Sequence, residues 1–321
     1  MKKNIFLIEQ NQNIKKEFNN GIQSLRMILS FLILQYHCLN QKKIKSKIIK
    51  RLVNANGFYV PTFLVISYYF SFKIINSRNI IKMKSRLKRL FIPYIIWPII
   101  FFIIYKIVFY FYYKKIGFTL KDLIIQLLTA KRIHMVFWFQ CNLILSFVLL
   151  SIFVLLIKIN YLFIIQLIGI LGYFFHSFYH YYKILDKYMY EVRMLIKDFS
   201  KVLFYSAIGI SLGSLIDINF LRKERFKVII FCLFILYLLR DFLIIINLFY
   251  YLRCIIYGIG SVSLFILFSV LPLDYIRNKK INLIIVHATN YTAGVYYLHT
   301  QIWLILRKNG TLYGCFINYL T

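Results

Sequence analysis

Residues 133–157 have the sequence IHMVFWFQCNLILSFVLLSIFVLLI, which contains no Asp, Glu, Lys or Arg. An α-helix rises about 1.5 Å per residue, so about 20 apolar residues cross the hydrocarbon core of a bilayer. Four other stretches are also free of these charges and long enough to cross: Leu52–Phe72, Ile159–Tyr182, Cys254–Leu273 and Ile281–Leu306. Because backbone polar groups in lipid must be hydrogen-bonded within the segment, these stretches predict membrane-spanning helices.

The rest of the chain follows the same pattern, with 61% hydrophobic residues and a mean hydropathy of +0.70. It predicts a single membrane-embedded domain over 1–321, an all-α, polytopic bundle of about nine to ten transmembrane helices in the cell or plasma membrane. Nine spans are placed at Ile22–Leu39, Gly57–Ile75, Phe91–Tyr113, Val136–Ile157, Tyr161–Tyr179, Val202–Ile216, Val228–Phe249, Cys254–Leu271 and Leu283–Leu306. Residues 1–21 form a basic tail, and 309–321 predict either a truncated last helix or a tail folded against the bundle.

The net charge of +31 does not indicate nucleic-acid binding, because the Lys and Arg residues lie in short tracts between the predicted spans. Basic tracts beside membrane helices meet anionic headgroups, so the lipid bilayer is the expected partner. The two sides of the predicted bundle carry nearly equal numbers of Lys and Arg, so charge does not decide orientation. The five cysteines have no Cys-x-x-Cys spacing and predict buried apolar residues, with no metal site.

Arg26 and His37 lie in one apolar stretch, Leu25–Cys38, with ten residues between them. A step of eleven residues is close to three helical turns, so both side chains belong to nearly the same face, about 16 Å apart along the axis. Ionisable groups inside a membrane helix are costly, and they face the bundle interior or a wet cavity. This face is therefore the first candidate for chemistry.

Further motifs follow in order along the chain. The second span contains VPTFLVISYYF (60–70), and KSRLKRLFIP (84–93) leads into the third. The fourth span opens with Trp138-Phe139-Gln140, and the last holds GVYYLH (294–299). Together with Arg26 and His37, these motifs resemble the membrane-bound acyltransferase 3 family over roughly residues 20–305.

The resemblance implies an enzyme that transfers acyl groups, often acetyl, to hydroxyls of cell-surface polysaccharides or lipid-linked sugars. It implies acyl-CoA, here acetyl-CoA, as co-substrate, with no tightly bound cofactor. By position, Arg26 and His37 match the family's Arg-x10-His signature, and Arg86 and Arg89 match its basic pair before the third helix. Other matching positions are Ser67, Trp138, Phe139, Tyr296 and His299. The sequence departs from the family pattern at Gln23, Tyr68 and Gln140.

The residue chemistry agrees with this resemblance. Acyl transfer to a hydroxyl needs a base near neutrality, and imidazole, with an unperturbed pKa of about 6.5, suits His37 to that role. Arg26 is expected to stabilise the oxyanion as the electrostatic partner of His37. Arg86 and Arg89 are expected to bind the phosphates of acyl-CoA. Four residues are expected to support or position the acceptor: Ser67, Trp138, Tyr296 and His299.

Structural roles are the alternatives for each of these residues. Arg86 and Arg89 could extend to the headgroups, Ser67 and His299 could bond neighbouring helices, and Trp138 could belong to an interfacial aromatic belt. Arg240 and Asp241 stand within a predicted span, where polar contacts with other helices are the simplest role, and the alternative is that Asp241 orients a catalytic histidine. His176 is expected at the headgroups, and Gly209-x-x-x-Gly213 predicts close helix packing.

At the level of function, the main alternative is a glycan or lipid transporter or flippase whose pathway these charged residues line. A second alternative is an inactive, truncated relative. No sequence feature defines the acyl group, the acceptor or the oligomeric state.

Overall fold

In the computed structural model, the structure describes residues 20–38, 55–108, 119–129, 138–157, 160–179, 190–245 and 252–271. These residues are almost entirely helical and contain no strand, which confirms the all-α prediction for them. The helices are α1 Asn20–Cys38, α2 Tyr59–Asn76, α3 Ile80–Val108, α4 Leu120–Thr129, α5 Trp138–Leu156, α6 Tyr161–Tyr179, α7 Tyr190–Leu215, α8 Ile218–Lys223, α9 Arg225–Ile245 and α10 Leu252–Val270. A 3-10 turn, Ala55–Phe58, precedes α2.

Eight of the nine predicted spans coincide with helices of the structure, and the ninth, Leu283–Leu306, lies outside the described residues. By length and composition, three helical segments of the described part could cross a membrane: Ile80–Ile104, Trp138–Leu156 and Leu252–Val270. Two shorter apolar helical segments are Gly21–Ile33 and Tyr161–Ser177. The count of nine to ten spans stays a prediction.

Helix α3 begins at Ile80, eleven residues before the predicted start at Phe91. The side chain of Asn79 accepts a hydrogen bond from the backbone N–H of Lys82 at 3.1 Å, which satisfies one of the free donors at the helix start. Lys and Arg are strong helix formers, so the basic tract continues the helix rather than preceding it. Arg86 and Arg89 therefore lie inside α3, which corrects their predicted place before it.

Two other helices differ from the predicted pattern. Helix α4 was not predicted, and its start is capped reciprocally by Thr119 and Asp122. The backbone N–H of Thr119 donates to Asp122 Oδ2 at 2.8 Å, and the N–H of Asp122 donates to Thr119 Oγ1 at 3.3 Å. Helix α7 begins at Tyr190 and is 26 residues long, so the span predicted at Val202–Ile216 starts earlier, which its short length left open. In both cases the chain is helical in a segment where apolar runs alone do not predict a helix.

Helix α2 lies at the centre of the packing and contacts α1, α5, α7 and α10. Apolar side chains of these helices form one buried core. Its most buried members include Ile22, Leu25, Leu29, Leu64, Val65, Tyr68, Leu150, Val202, Tyr205, Ile210 and Phe265.

Gly209 and Gly213 bring α7 directly against α2, which confirms the predicted close packing. A Cβ atom at Gly209 would lie 2.6 Å from the carbonyl oxygen of Val65 and 2.7 Å from the Cβ of Tyr68. A Cβ atom at Gly213 would lie 2.7 Å from the Cβ of Phe72. Gly209 contacts Val65 and Tyr68, and Gly213, one turn later on α7, contacts Phe72, one turn later on α2. Helices α2 and α7 therefore run in the same direction.

Replacing Gly209 with Ala is expected to lower the free energy of unfolding by about 1–3 kcal/mol, because the added methyl group meets backbone atoms that cannot move aside locally. Gly258→Ala is the matched control, since its nearest neighbour is the terminal Cδ1 of Ile208 at 3.1 Å. Both variants gain helix propensity of about 1 kcal/mol, so their difference isolates the contact. Thermal unfolding in detergent measures it, and equal stability of the two variants would contradict this packing.

Large apolar side chains cover the outer faces of α3, α6 and α9. Exposed examples are Ile96, Ile103 and Ile107 of α3, Phe163, Leu171 and Phe175 of α6, and Phe226, Phe231 and Phe234 of α9. Apolar faces of this size are unusual on soluble monomers and fit contact with lipid. The apolar helices thus support an integral membrane protein.

Candidate functional site

Ser67 and Arg86 meet across the α2–α3 hairpin. The guanidinium Nη2 of Arg86 donates a hydrogen bond to Ser67 Oγ at 2.9 Å. Both side chains are half-buried, and the Nε of Arg86 is buried without a hydrogen-bond partner among the described residues. The structure thus brings two of the expected site residues together and turns Arg86 toward the bundle rather than outward to the headgroups.

Arg86 interacts electrostatically with two other arginines of the described residues. The charge of Arg86 interacts with those of Arg89 and Arg26, and with the hydroxyl group of Tyr68. Arg26 is half-buried on α1, and its Nη1 donates to Gln23 Oε1 at 3.1 Å. Arg89 is exposed, and its Nε donates to the carbonyl oxygen of Ser85 at 3.4 Å.

Within the described part of the chain, none of these three arginines contacts a carboxylate. Their hydrogen-bond partners are the neutral oxygens of Gln23, Ser67 and Ser85. A group of cations without an acidic partner is suited to bind an anionic ligand, and the arginine fork suits phosphate in particular. We call Arg26, Arg86 and Arg89 the arginine cluster.

Tyr68, the residue after Ser67, ties α2 to α5. Its ring is fully buried, and its hydroxyl group is hydrogen-bonded to Ser146 Oγ and donates to the carbonyl oxygen of Leu143 at 3.2 Å. Tyr68 departs from the family pattern, and the sequence alone assigns it no contact. The structure shows that this tyrosine holds the segment bearing Ser67 against α5.

Replacing Tyr68 with Phe is expected to lower the free energy of unfolding by about 1 kcal/mol, because one buried hydroxyl loses its hydrogen bonds. The loss stays modest because Ser146 Oγ also donates to the carbonyl oxygen of Asn142 at 2.6 Å. Tyr161→Phe is the control, since the exposed hydroxyl group of Tyr161 bonds Asn76 at the surface. A thermal shift for Tyr161→Phe as large as that for Tyr68→Phe would contradict the role of the buried contact.

Trp138 begins α5, where its half-buried indole packs against the edge of the core. Two residues further on, Gln140 Nε2 donates to the carbonyl oxygen of Leu90 on α3 at 2.5 Å. Asn142 Nδ2 donates to the carbonyl oxygen of Trp138 at 2.8 Å, while its buried Oδ1 has no partner among the described residues. The start of α5 thus carries buried polar groups beside the helix that bears Arg86 and Arg89.

For the remaining expected residues, the structure describes at most the helix to which each belongs. His37 belongs to α1, and the continuous helix keeps it eleven residues, about three turns, beyond Arg26. Arg240 and Asp241 belong to α9. The side chains of these three residues lie outside the described part, as do Tyr296 and His299 altogether. Their roles stay predictions.

The side chain of His176 faces another helix rather than the headgroups, contrary to the prediction. Its side chain is only 6% exposed, and its Nδ1 lies 3.2 Å from the carbonyl oxygen of Lys197, because α6 packs closely on α7 there. The three cysteines whose side chains are described, Cys141, Cys232 and Cys254, are buried free thiols, as predicted. Among the described residues, no group of three or more His, Cys, Asp or Glu could hold a metal ion.

The family model of the acyltransferase 3 family, described as an acyltransferase domain, matches residues 19–320. No curated protein and no solved structure shows significant similarity to the chain.

The chain belongs to the acyltransferase 3 family. It is an acyltransferase of the class that transfers groups other than aminoacyl groups. Membership favours this activity over the transporter alternative, and with the apolar helices it supports an integral membrane protein.

Proposed function

We propose that this protein is a multi-pass membrane O-acyltransferase of the cell or plasma membrane. Its donor is acyl-CoA, most simply acetyl-CoA, and its acceptor is a hydroxyl group of a cell-surface polysaccharide or lipid-linked sugar. The observation that carries the proposal is the arginine cluster, which gathers positive charge from α1 and α3 without an acidic partner in the described residues.

The donor site follows from the contacts of Arg86. Ser67 accepts a hydrogen bond from the Nη2 end of the guanidinium group and so fixes the orientation of its charge. Phosphate oxygens are strong acceptors, and charge-assisted hydrogen bonds to them are stronger than neutral ones. Arg86 and Arg89 are therefore assigned to the phosphates of acyl-CoA.

The reacting end lies further along α1. His37 is about 16 Å from Arg26 along the helix axis, and acyl-CoA carries its phosphates and its thioester at opposite ends of a long flexible arm. A donor bound by its phosphates at the arginine cluster could thus extend along α1 toward His37. Because acyl-CoA is made in the cytoplasm, the α2–α3 hairpin end is assigned to that side.

In the proposed reaction, His37 takes the proton of the acceptor hydroxyl group as the oxygen attacks the thioester carbonyl carbon. A C–O bond forms, the C–S bond breaks, and the imidazolium returns the proton to the departing CoA sulfur. The expectation that Arg26 stabilises the oxyanion stays a prediction, and its place beside Arg86 favours a role in anion binding.

Transfer of radiolabelled acetyl from acetyl-CoA tests the proposal in membranes with and without the protein. We expect label in the lipid-linked or polymeric glycan only when the protein is present, and we expect mild alkali to release it, since alkali cleaves esters and spares amides. Alkali-stable label would overturn O-acylation. Absence of label with a well-expressed protein would overturn the proposed donor and acceptor.

A further inference from the structure

Gln23 is the hydrogen-bond partner of Arg26 in the arginine cluster. Its Oε1 accepts from Arg26 Nη1 at 3.1 Å, one turn away on α1, and both side chains are half-buried. An amide oxygen orients a guanidinium group as a carboxylate does, but it cancels none of the positive charge. The residue at position 23 therefore determines whether Arg26 contributes a full charge to the site.

The charge that Gln23 leaves in place acts on the other arginines. Arg86 interacts electrostatically with both Arg26 and Arg89, and no carboxylate among the described residues offsets the three charges. Like charges in a partly buried site repel one another, because water screens them less than at a free surface. An anion carrying several charges removes this repulsion, whereas a singly charged anion removes only part of it.

We propose that Gln23 is a positioning residue that sets the charge preference of the arginine cluster, so that the site selects a ligand with several negative charges, such as a pyrophosphate. This inference rests on the proposed donor site. Because Gln23 bonds Arg26 without cancelling its charge, the arginine cluster keeps the positive charge that the several phosphates of a CoA require.

Substitutions at Gln23 separate charge from shape. Glu has nearly the size of Gln and still accepts the hydrogen bond from Arg26, but it adds one negative charge. Met has similar size, accepts no such bond and adds no charge. If the charge at position 23 determines affinity, Gln23→Glu must raise KM more for a donor with more negative charges. Gln23→Met must raise KM equally for all donors.

The test measures KM for acetyl-CoA and for 3′-dephospho-acetyl-CoA, which lacks one phosphate. We expect Gln23→Glu to raise KM about ten-fold for acetyl-CoA, about 1.4 kcal/mol, and about three-fold for the dephospho form. Gln23→Met should raise both values equally, by about three-fold or less. Asn219→Asp, an exposed change in α8, is the control for added charge and should leave both values unchanged. Equal effects of Gln23→Glu on the two donors would overturn the inference.

Direct binding separates this inference from the proposed function, with CoA and inorganic pyrophosphate titrated into the detergent-solubilised protein. Weaker binding of both probes by Gln23→Glu supports the inference and the donor. Pyrophosphate binding that Gln23→Glu weakens, without CoA binding by the wild type, keeps the inference and overturns the donor. Wild-type affinity of Gln23→Glu for both probes overturns the inference alone, and no binding of either probe by the wild type overturns both.

Discussion

Replacing His37 with Ala is expected to lower the rate of acetyl transfer by about a hundred- to ten-thousand-fold, the range over which general bases contribute. The reason is that the acceptor hydroxyl group loses the group that takes its proton during attack. Affinity for acetyl-CoA should change little, because the arginine cluster lies about three turns away along α1. The effect should thus be in kcat, measured with saturating donor in membranes that contain matched amounts of protein.

Two comparisons make the His37 prediction specific. His176→Ala removes a buried histidine that bonds a backbone carbonyl between α6 and α7, so it tests general loss of a buried imidazole. Added imidazole should partly restore transfer by His37→Ala and should not stimulate His176→Ala. Full activity of a folded His37→Ala protein would remove His37 from the mechanism and leave the enzyme without its proposed base.

Replacing Arg86 with Ala is expected to raise KM for acetyl-CoA by about ten- to a hundred-fold, because a charge-assisted hydrogen bond contributes about 1.5–3 kcal/mol. Arg86→Lys keeps the charge but loses the planar fork that bonds Ser67 Oγ, so we expect an intermediate increase. Ser67→Ala should raise KM by only a few-fold, since Arg86 keeps its charge and loses its orientation. Steady-state kinetics over a range of donor concentrations measures all three.

Lys88→Ala is the matched control for Arg86→Ala, because Lys88 lies on the same helix and its side chain is exposed. Its removal takes away one positive charge without touching Ser67 or the buried Nε. Higher salt should weaken the small effect of Lys88→Ala more than the effect of Arg86→Ala. If both variants raised KM equally, Arg86 would act only through long-range charge, and the proposed phosphate contact would be wrong.

The positions of most described helices could be predicted from apolar runs, whereas several helix starts could not. The start of α3 is basic, and the start of α4 depends on a cap between Thr119 and Asp122 rather than on hydrophobicity. Apolar runs mark the part of a helix that can lie in lipid, so they miss polar turns that extend beyond it. The Thr119-x-x-Asp122 spacing was the available signal for α4.

The candidate site could be predicted as a set of residues but not as a set of contacts. Ser67 lies nine residues before the end of α2 and Arg86 lies six residues after the start of α3, so an antiparallel hairpin leaves them about three residues apart in level. A long arginine side chain can cover that offset, so the spacing indicates proximity but not the hydrogen bond at 2.9 Å. The contact of Gln23 with Arg26 also follows an i, i+3 spacing, which places both on one face of α1. The contact of Tyr68 with α5 depends on tertiary packing, and no local spacing in the sequence reveals it.

The contact of α2 with Gly209 restricts which residues can stand at a position distant in sequence. The Cβ of Tyr68 lies where it would be only 2.7 Å from a Cβ at position 209, so any residue with a Cβ at position 68 requires glycine at position 209. A chain with Gly at position 68 would lose this clash, although the carbonyl oxygen of Val65 would still limit the space. Among relatives of this protein, glycine should therefore persist at position 209 whatever residue stands at position 68, because a main-chain atom of α2 excludes every larger residue there.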